Sequence, residues 1–126
     1  MKRFQTLDVT FEPADPKNFV GNARVKRMPM AESTVVFLVE FEPGGRTNWH
    51  AHSAPQLLLV KEGRGLVQKW GEPVVAMSAG DAITIEPNEK HWHGAAPSSR
   101  MAHFAVNLNF TTKWFEPVSD DQYRAS

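Results

Sequence analysis

Two histidine-rich segments dominate this sequence: His50–Gln56, which reads HAHSAPQ, and His91–His93, which reads HWH. They hold four of the five histidines in the chain, and imidazole nitrogens are ligands that divalent transition metals favour. Residues two apart on a β-strand point to the same face, so both histidines of the first segment can bind one ion. Gln56, which ends this segment, has the same parity as the two histidines and can add an amide oxygen. The second segment can bring His91 to the same ion from a distant strand. The sequence therefore predicts a metal site formed by His50, His52, Gln56 and His91.

The composition indicates one globular domain and gives no sign of a nucleic-acid or membrane partner. The 126 residues are 41% apolar, which predicts a single domain over residues 1–126, with an N-terminal extension (1–18) and a patterned core (about 34–110). Fourteen basic and fourteen acidic side chains cancel, and they form no basic stripe for nucleic acid. The absence of cysteine excludes disulfide scaffolds, thiolate zinc sites and thiol nucleophiles. No signal peptide or apolar run of membrane-spanning length is visible, so we expect a cytoplasmic protein without a membrane partner.

Short alternating segments separated by turns predict an all-β fold. We expect strands at residues 34–41, 49–61, 65–70, 74–77, 82–85, 91–94 and 101–110. Many short strands at this spacing indicate a sandwich or a barrel. The segment Ser119–Gln122 fits a capping box and predicts a short C-terminal helix.

The two faces of the predicted strand 101–110 differ. One face is entirely apolar and includes Phe104 and Val106, whereas the other carries His103 and Asn107. In a barrel that holds a metal, we expect the polar face to line the interior. The apolar face then needs a cover, from a second sheet layer or from a partner subunit.

The first histidine segment resembles the first motif of the cupin family. That motif is Gly, five residues, His-x-His, three or four residues, Glu, six residues and Gly. The residues that match it at every spacing are Gly44, His50, His52, Gln56 and Gly63. The one departure is the glutamine, which stands where the family has an acidic ligand.

The second segment resembles the second cupin motif, which runs from Gly to His over eleven positions. Gly80 and His91 match its ends, whereas its usual Pro and Gly fall on Glu86 and Asn88, and its final Asn falls on Ala95. Asparagine tolerates a left-handed backbone conformation, so we expect the turn at Asn88 to persist. The two motifs together imply a double-sheet jelly-roll barrel.

A closer resemblance covers most of the chain from about residue 39 onward. The segments Phe41–Gly44, Arg46–His52, Glu89–Pro97 and Asp121–Arg124 are similar to small bacterial single-domain cupins. That group includes manganese-dependent cupin hydroxynitrile lyases, and many relatives are labelled carboxymuconolactone-decarboxylase-like. The resemblance implies a divalent transition metal, manganese first, with iron, nickel, cobalt and zinc left open. It also implies a homodimer or a higher homo-oligomer.

The ligand chemistry favours a metal-dependent enzyme that acts on a small polar organic molecule. Three neutral imidazoles and an amide leave a divalent ion its full charge, which makes it a stronger Lewis acid than it would be beside a glutamate. A hydroxynitrile-lyase-like carbon–carbon lyase, the reaction that the resemblance implies, is the first hypothesis. His93 shares parity with His91, and either His93 or His103 is the predicted general base. His93 is also open as a fifth ligand or a structural residue, and a dioxygenase or a non-catalytic ligand-binding metallo-cupin remains an alternative function.

Five further residues carry expectations about packing. Trp49 and Trp92 have opposite parity to the neighbouring histidines, which predicts core or interface positions. We expect Arg46 to form a structural salt bridge and Lys90 to be solvated. If Phe37 points inward, it narrows the pocket.

Overall fold

The computed structural model describes residues 1, 3–31 and 33–124, which form twelve strands and one helix. The elements are β1 (Glu12–Pro13), β2 (Phe19–Val20), β3 (Ala23–Ala31), β4 (Thr34–Phe41), β5 (Arg46–Thr47), β6 (His50–His52), β7 (Gln56–Lys69), β8 (Val75–Ser78), β9 (Ala82–Ile85), β10 (His91–Ala95), β11 (Met101–Leu108), β12 (Thr112–Trp114) and α1 (Asp120–Arg124). Neighbouring strands pair antiparallel in the order β1-β3-β4-β11-β7-β10-β5-β2, and β6, β8, β9 and β12 pair beside this path. The sheet curls into a jelly-roll half-barrel, which confirms the predicted fold class.

The long strand β7 belongs to both layers of the barrel. Its first half pairs with β11 and β9, and its second half pairs with β10 and β8. The chain bends between the halves at Gly63, whose φ of +78° favours glycine. A Cβ there would lie 1.9 Å from the carbonyl oxygen of Arg100, so only glycine fits this bend.

Two predicted strand boundaries are wrong. We expected one strand over residues 49–61, but Ser53–Pro55 separates β6 from β7, and Pro55 has no N–H to donate to a ladder. We expected a turn near Gly63, but β7 continues through it because the bend preserves the pairing on both sides. The predicted turn at Asn88 is present, with a φ of +65°.

The two tryptophans beside the histidines lie in the core, as predicted. Trp49 and Trp92 pack with Val118 and Tyr123 on the outer side of the layer that contains β10. The segment that ends in α1 covers this side. Its capping box forms as predicted, because the Ser119 Oγ accepts from the Gln122 backbone N–H at 3.1 Å.

Two charged residues attach the ends of this covering segment. Arg46 donates to the Val118 carbonyl at 2.7 Å and forms a salt bridge with Asp120 at 3.0 Å, so its predicted structural role is confirmed. The prediction for Lys90 is wrong. Its Nζ lies 3.6 Å from the centroid of the Trp70 ring and 2.7 Å from a carboxylate oxygen of Glu116. A partly desolvated ammonium gains more from aromatic faces than an exposed one does.

The apolar face of β11 is covered in part by the N-terminal extension. Phe104 and Val106 pack beside Met28, Val36 and Leu38, with Val9 and Phe11 against the same cluster. Leu108, at the end of this face, is still 50% exposed. The opposite face of β11 carries His103 and Asn107 into the barrel, as expected. No helix in the described part of the chain is long and apolar enough to cross a membrane.

Candidate metal centre

Four strands bring the predicted site residues together inside the barrel. His50 on β6 is the register partner of His91 on β10, so the two histidine segments lie side by side. Gln56 begins β7 and is the register partner of Asn107 on β11. The six predicted site residues are all buried: His50, His52, Gln56, His91, His93 and His103.

One histidine group with converging ligand atoms includes His93, which is outside the predicted ligand set. Within the described residues, the ligand atoms of His50, His91 and His93 all lie within 4.8 Å of one another, which is a three-histidine site able to hold a metal. The His52 ring centroid lies 5.0 Å from that of His50 and 5.5 Å from that of His91, no farther than the His93 centroid at 5.3 and 5.7 Å. His52 therefore belongs to the same cluster of rings. His93 is close enough to be a ligand, which was one of the roles left open for it.

Hydrogen bonds orient three of these rings with Nε2 available. The Nδ1 of His50 donates to the Asn48 carbonyl and that of His91 donates to the Glu89 carbonyl, both at 2.8 Å. A carbonyl only accepts, so both nitrogens carry the proton and Nε2 keeps its lone pair. The Nδ1 of His52 lies 2.9 Å from the Thr112 hydroxyl. Such bonds behind a metal-binding imidazole hold its tautomer and its direction.

Several polar atoms in the cluster are buried without a hydrogen-bond partner among the described residues. Around the three-histidine site they are Nε2 of His52, Nε2 of His91, Nε2 of His93 and Oε1 of Gln56, and Nδ1 of His103 behind His93 is a further one. A buried polar atom without a partner costs free energy, so its presence calls for an explanation. Lone pairs that converge in one place are what a divalent cation requires, so the residues present fit a metal.

Burial keeps these imidazoles neutral. It lowers the pKa of His52, His91 and His103 to about 4, with nearby His91 lowering that of His52 further. It also lowers the pKa of His50 and His93 well below the ordinary value, with the other histidines adding to the effect. The rings are therefore unprotonated at neutral pH. Neutral imidazole is the form that binds a metal or accepts a proton.

The two predicted catalytic histidines form a pair. The Nε2 of His103 lies 2.9 Å from the Nδ1 of His93, and both rings contact the Phe41 ring. The Nε2 of His93 faces the three-histidine site, whereas His103 lies behind it. His103 thus contacts the site through His93.

An apolar cavity of about 170 Å³ opens beside the cluster. Its polar lining includes His50, His52, Gln56, His93 and His103, and its apolar lining includes Phe19, Val25, Phe37, Val39, Phe110 and Trp114. Phe37 points inward and meets Phe110 edge to face, with ring centroids 6.3 Å apart. Phe37 therefore narrows the pocket, as expected for an inward position. The cavity suits a small, mostly apolar molecule with one polar end directed at the imidazoles.

Sequence reasoning missed two residues of the site. Thr112 supports His52, and Trp114 lies over His50 with ring centroids 4.7 Å apart. Both come from β12, which was not predicted. Its three residues give no readable alternation, so only the pairing of β12 with β6 reveals them.

Comparison with known proteins identifies the family. The profile described as Cupin domain matches residues 37–107, more than half of the chain. The chain belongs to the cupin family. This cupin is 40% identical over 112 residues to an (R)-mandelonitrile lyase of Granulicella tundricola, a match that covers 84% of this chain and 86% of that protein.

Solved structures agree with this assignment. A cupin-like protein of Thermotoga maritima superposes on this cupin with a TM-score of 0.86 and 36% identity, over 93% of this chain and 96% of that one. The polyketide cyclase RemF of Streptomyces resistomycificus has a TM-score of 0.71 and 23% identity, over 98% and 91% of the two chains. The second likeness supports the fold alone.

Proposed function

We propose that this cupin is a metal-dependent hydroxynitrile lyase, which splits a cyanohydrin into a carbonyl compound and hydrogen cyanide. The observation that carries the proposal is the cluster of neutral, buried imidazoles at the end of an apolar cavity. The relative named as an (R)-mandelonitrile lyase supports the choice of reaction, since the match covers most of both chains.

The proposed ligands of the metal are His50, His52, Gln56 and His91, with manganese as the first candidate and iron, nickel, cobalt and zinc as alternatives. His93 is kept for proton transfer, although its nitrogen is near enough to ligate. A bound divalent metal supplies Lewis acidity, which stabilises negative charge on the substrate oxygen as the carbon–carbon bond breaks. A neutral ligand set favours this chemistry over oxygen activation, because it raises the reduction potential of the metal.

His93 is the proposed general base. Its Nε2 takes the proton of the cyanohydrin hydroxyl, the bond from carbon to cyanide breaks, and cyanide leaves with the electron pair. The same proton can then pass from His93 to cyanide. When Nε2 is protonated, the Nδ1–H of His93 donates to Nε2 of His103 at 2.9 Å, which stabilises the charged ring. The apolar lining excludes bulk water from this exchange.

The test measures release of benzaldehyde from (R)-mandelonitrile and of acetone from acetone cyanohydrin, each with and without a chelator. We expect product only from metal-loaded protein and recovery when Mn²⁺ is returned. Equal rates with and without the chelator contradict a metal-dependent lyase. Oxygen consumption without cyanide release supports a dioxygenase, and binding without turnover supports a ligand-binding metallo-cupin.

We also propose a homodimer, formed through the apolar outer face of β11 and β7. Leu59 is 39% and Leu108 is 50% exposed there, beside half-buried Phe104 and Val106. A second copy would remove this contiguous face from water. Light scattering should give about twice the chain mass of 14.1 kDa. A mass near that of one chain across micromolar concentrations refutes the dimer.

A further inference from the structure

Asn107 is a buried amide beside the proposed metal ligands. It is 1% exposed and lies on β11 directly opposite Gln56, and both side chains line the cavity. Buried side-chain amides are costly unless their donors and acceptors are used. Its hydrogen bonds therefore indicate what it does.

Two hydrogen bonds determine the direction of both amides. The Nδ2 of Asn107 donates to the Ala105 carbonyl at 3.2 Å, and its Oδ1 accepts from Nε2 of Gln56 at 2.9 Å. Because the carbonyl only accepts, rotating Asn107 by 180° would place two acceptors together at one end and two donors at the other. Rotating Gln56 alone would place its Oε1 against Oδ1 of Asn107. The Ala105 carbonyl thus orients Asn107, and Asn107 orients Gln56.

The result is that the oxygen of Gln56, and not its nitrogen, is directed away from Asn107. That oxygen is buried and forms no hydrogen bond of good geometry within the described residues, and the Gln56 side chain lies beside His52. An amide nitrogen carries two hydrogens and cannot ligate, whereas the oxygen has lone pairs for a cation.

We propose that Asn107 is a positioning residue that presents the Gln56 amide oxygen to the metal and disfavours a carboxylate at position 56. This inference rests on the proposed metal site. An ionised glutamate has only acceptors, so one of its oxygens would face Oδ1 of Asn107 where Nε2 now donates. Asn107 thereby keeps the ligand set neutral, at the position where the cupin motif has an acidic residue.

The test is a double-variant cycle of Q56E and N107L, measured by titrating Mn²⁺ into each metal-free protein. Leucine is close to asparagine in size and has no polar atom. With Asn107 present, the added charge of Q56E should bring little gain in affinity, because the carboxylate opposes the asparagine oxygen. In the N107L background, Q56E should raise the affinity for Mn²⁺ by the full effect of the added negative charge, because no asparagine oxygen opposes it. We expect the two Q56E effects to differ roughly tenfold, in the range found for contacting residues.

A second readout needs no metal, and so separates this inference from the proposed function. At pH 7.5, Q56E should lower the melting temperature of metal-free protein more with Asn107 than with N107L. If the wild type binds no divalent metal, the proposed site fails, and the melting comparison still shows whether Asn107 disfavours a carboxylate. Equal Q56E effects in both backgrounds, in affinity and in melting, overturn the inference.

Two further variants guard against trivial outcomes. Thr47→Val is the matched control, because it also removes a buried hydrogen bond, which the Thr47 hydroxyl accepts from the His93 backbone N–H at 3.2 Å, on β5 in the opposite layer. Its combination with Q56E should be additive, since the two positions share no hydrogen bond. If N107L does not fold, N107S makes the same comparison, because a hydroxyl can donate to a carboxylate as well as accept from an amide.

Discussion

Replacing His93 with alanine separates proton transfer from metal binding. If His93 is the base, H93A should keep its metal and lose roughly 10²–10⁴-fold in kcat, the usual contribution of a positioned general base. His103 lines the cavity and acts on the proposed proton transfer through its hydrogen bond to His93. A hydrogen bond to a charged group contributes about 1.5–3 kcal/mol, so H103L should cost roughly 10- to 150-fold. H93A should therefore lose more of kcat than H103L does.

The assay measures metal content and initial rate of aldehyde release on one sample of each variant. Phe41→Leu is the matched control, because Phe41 contacts both imidazole rings but has no titratable group and so cannot transfer a proton. It should change the rate by less than the histidine variants do. Loss of metal from H93A would make His93 a ligand, as its place in the three-histidine group allows. Retention of both metal and rate would make it structural and leave the proposed mechanism without its base.

Three other outcomes follow from the site. Burial lowers the pKa of His52, His91 and His103 to about 4 in the folded chain. In the unfolded chain the histidine pKa is about 6.5, so below that pH the unfolded chain binds more protons than the folded chain does. The melting temperature of the metal-free protein should therefore be highest above about pH 6.5 and should fall as the pH is lowered toward 4. A pH-independent melting temperature over this interval refutes it. H91A should lose stoichiometric metal by elemental analysis, and full occupancy would remove His91 from the ligand set. Phe37→Ala should raise kcat/KM for mandelonitrile relative to acetone cyanohydrin by roughly tenfold, because Phe37 narrows the cavity. An unchanged ratio shows that Phe37 does not select substrate.

The fold class and the gathering of the histidines inside the barrel could be predicted because both have a local signature. Alternation with a period of two assigns faces within a strand, and it placed His103 and Asn107 inside the barrel before any tertiary contact was known. The spacing of the two histidine segments indicated the family. The capping box of α1 is also local, since it joins residues three apart.

Strand boundaries were less accessible, because they depend on what pairs with the chain. Gly63 looks like the end of a strand, yet β7 continues because partners lie on both sides of the bend. Pro55 lies within what appeared to be one strand, so His52 and Gln56 converge from two strands and not from one. Parity along a single strand therefore predicted their proximity for the wrong reason.

The chemistry of the site was decided by contacts between residues far apart in the chain. Periodicity shows that His93 and His103 face inward, but only the curl of the sheet places their nitrogens 2.9 Å apart. Likewise, the sequence shows an amide at position 56, and only the register of β11 against β7 determines that its oxygen is free. Sequence alone determined which side chains enter the barrel, since that follows from backbone geometry. Tertiary structure decided which atoms they present, because hydrogen-bond direction depends on partners that other strands supply.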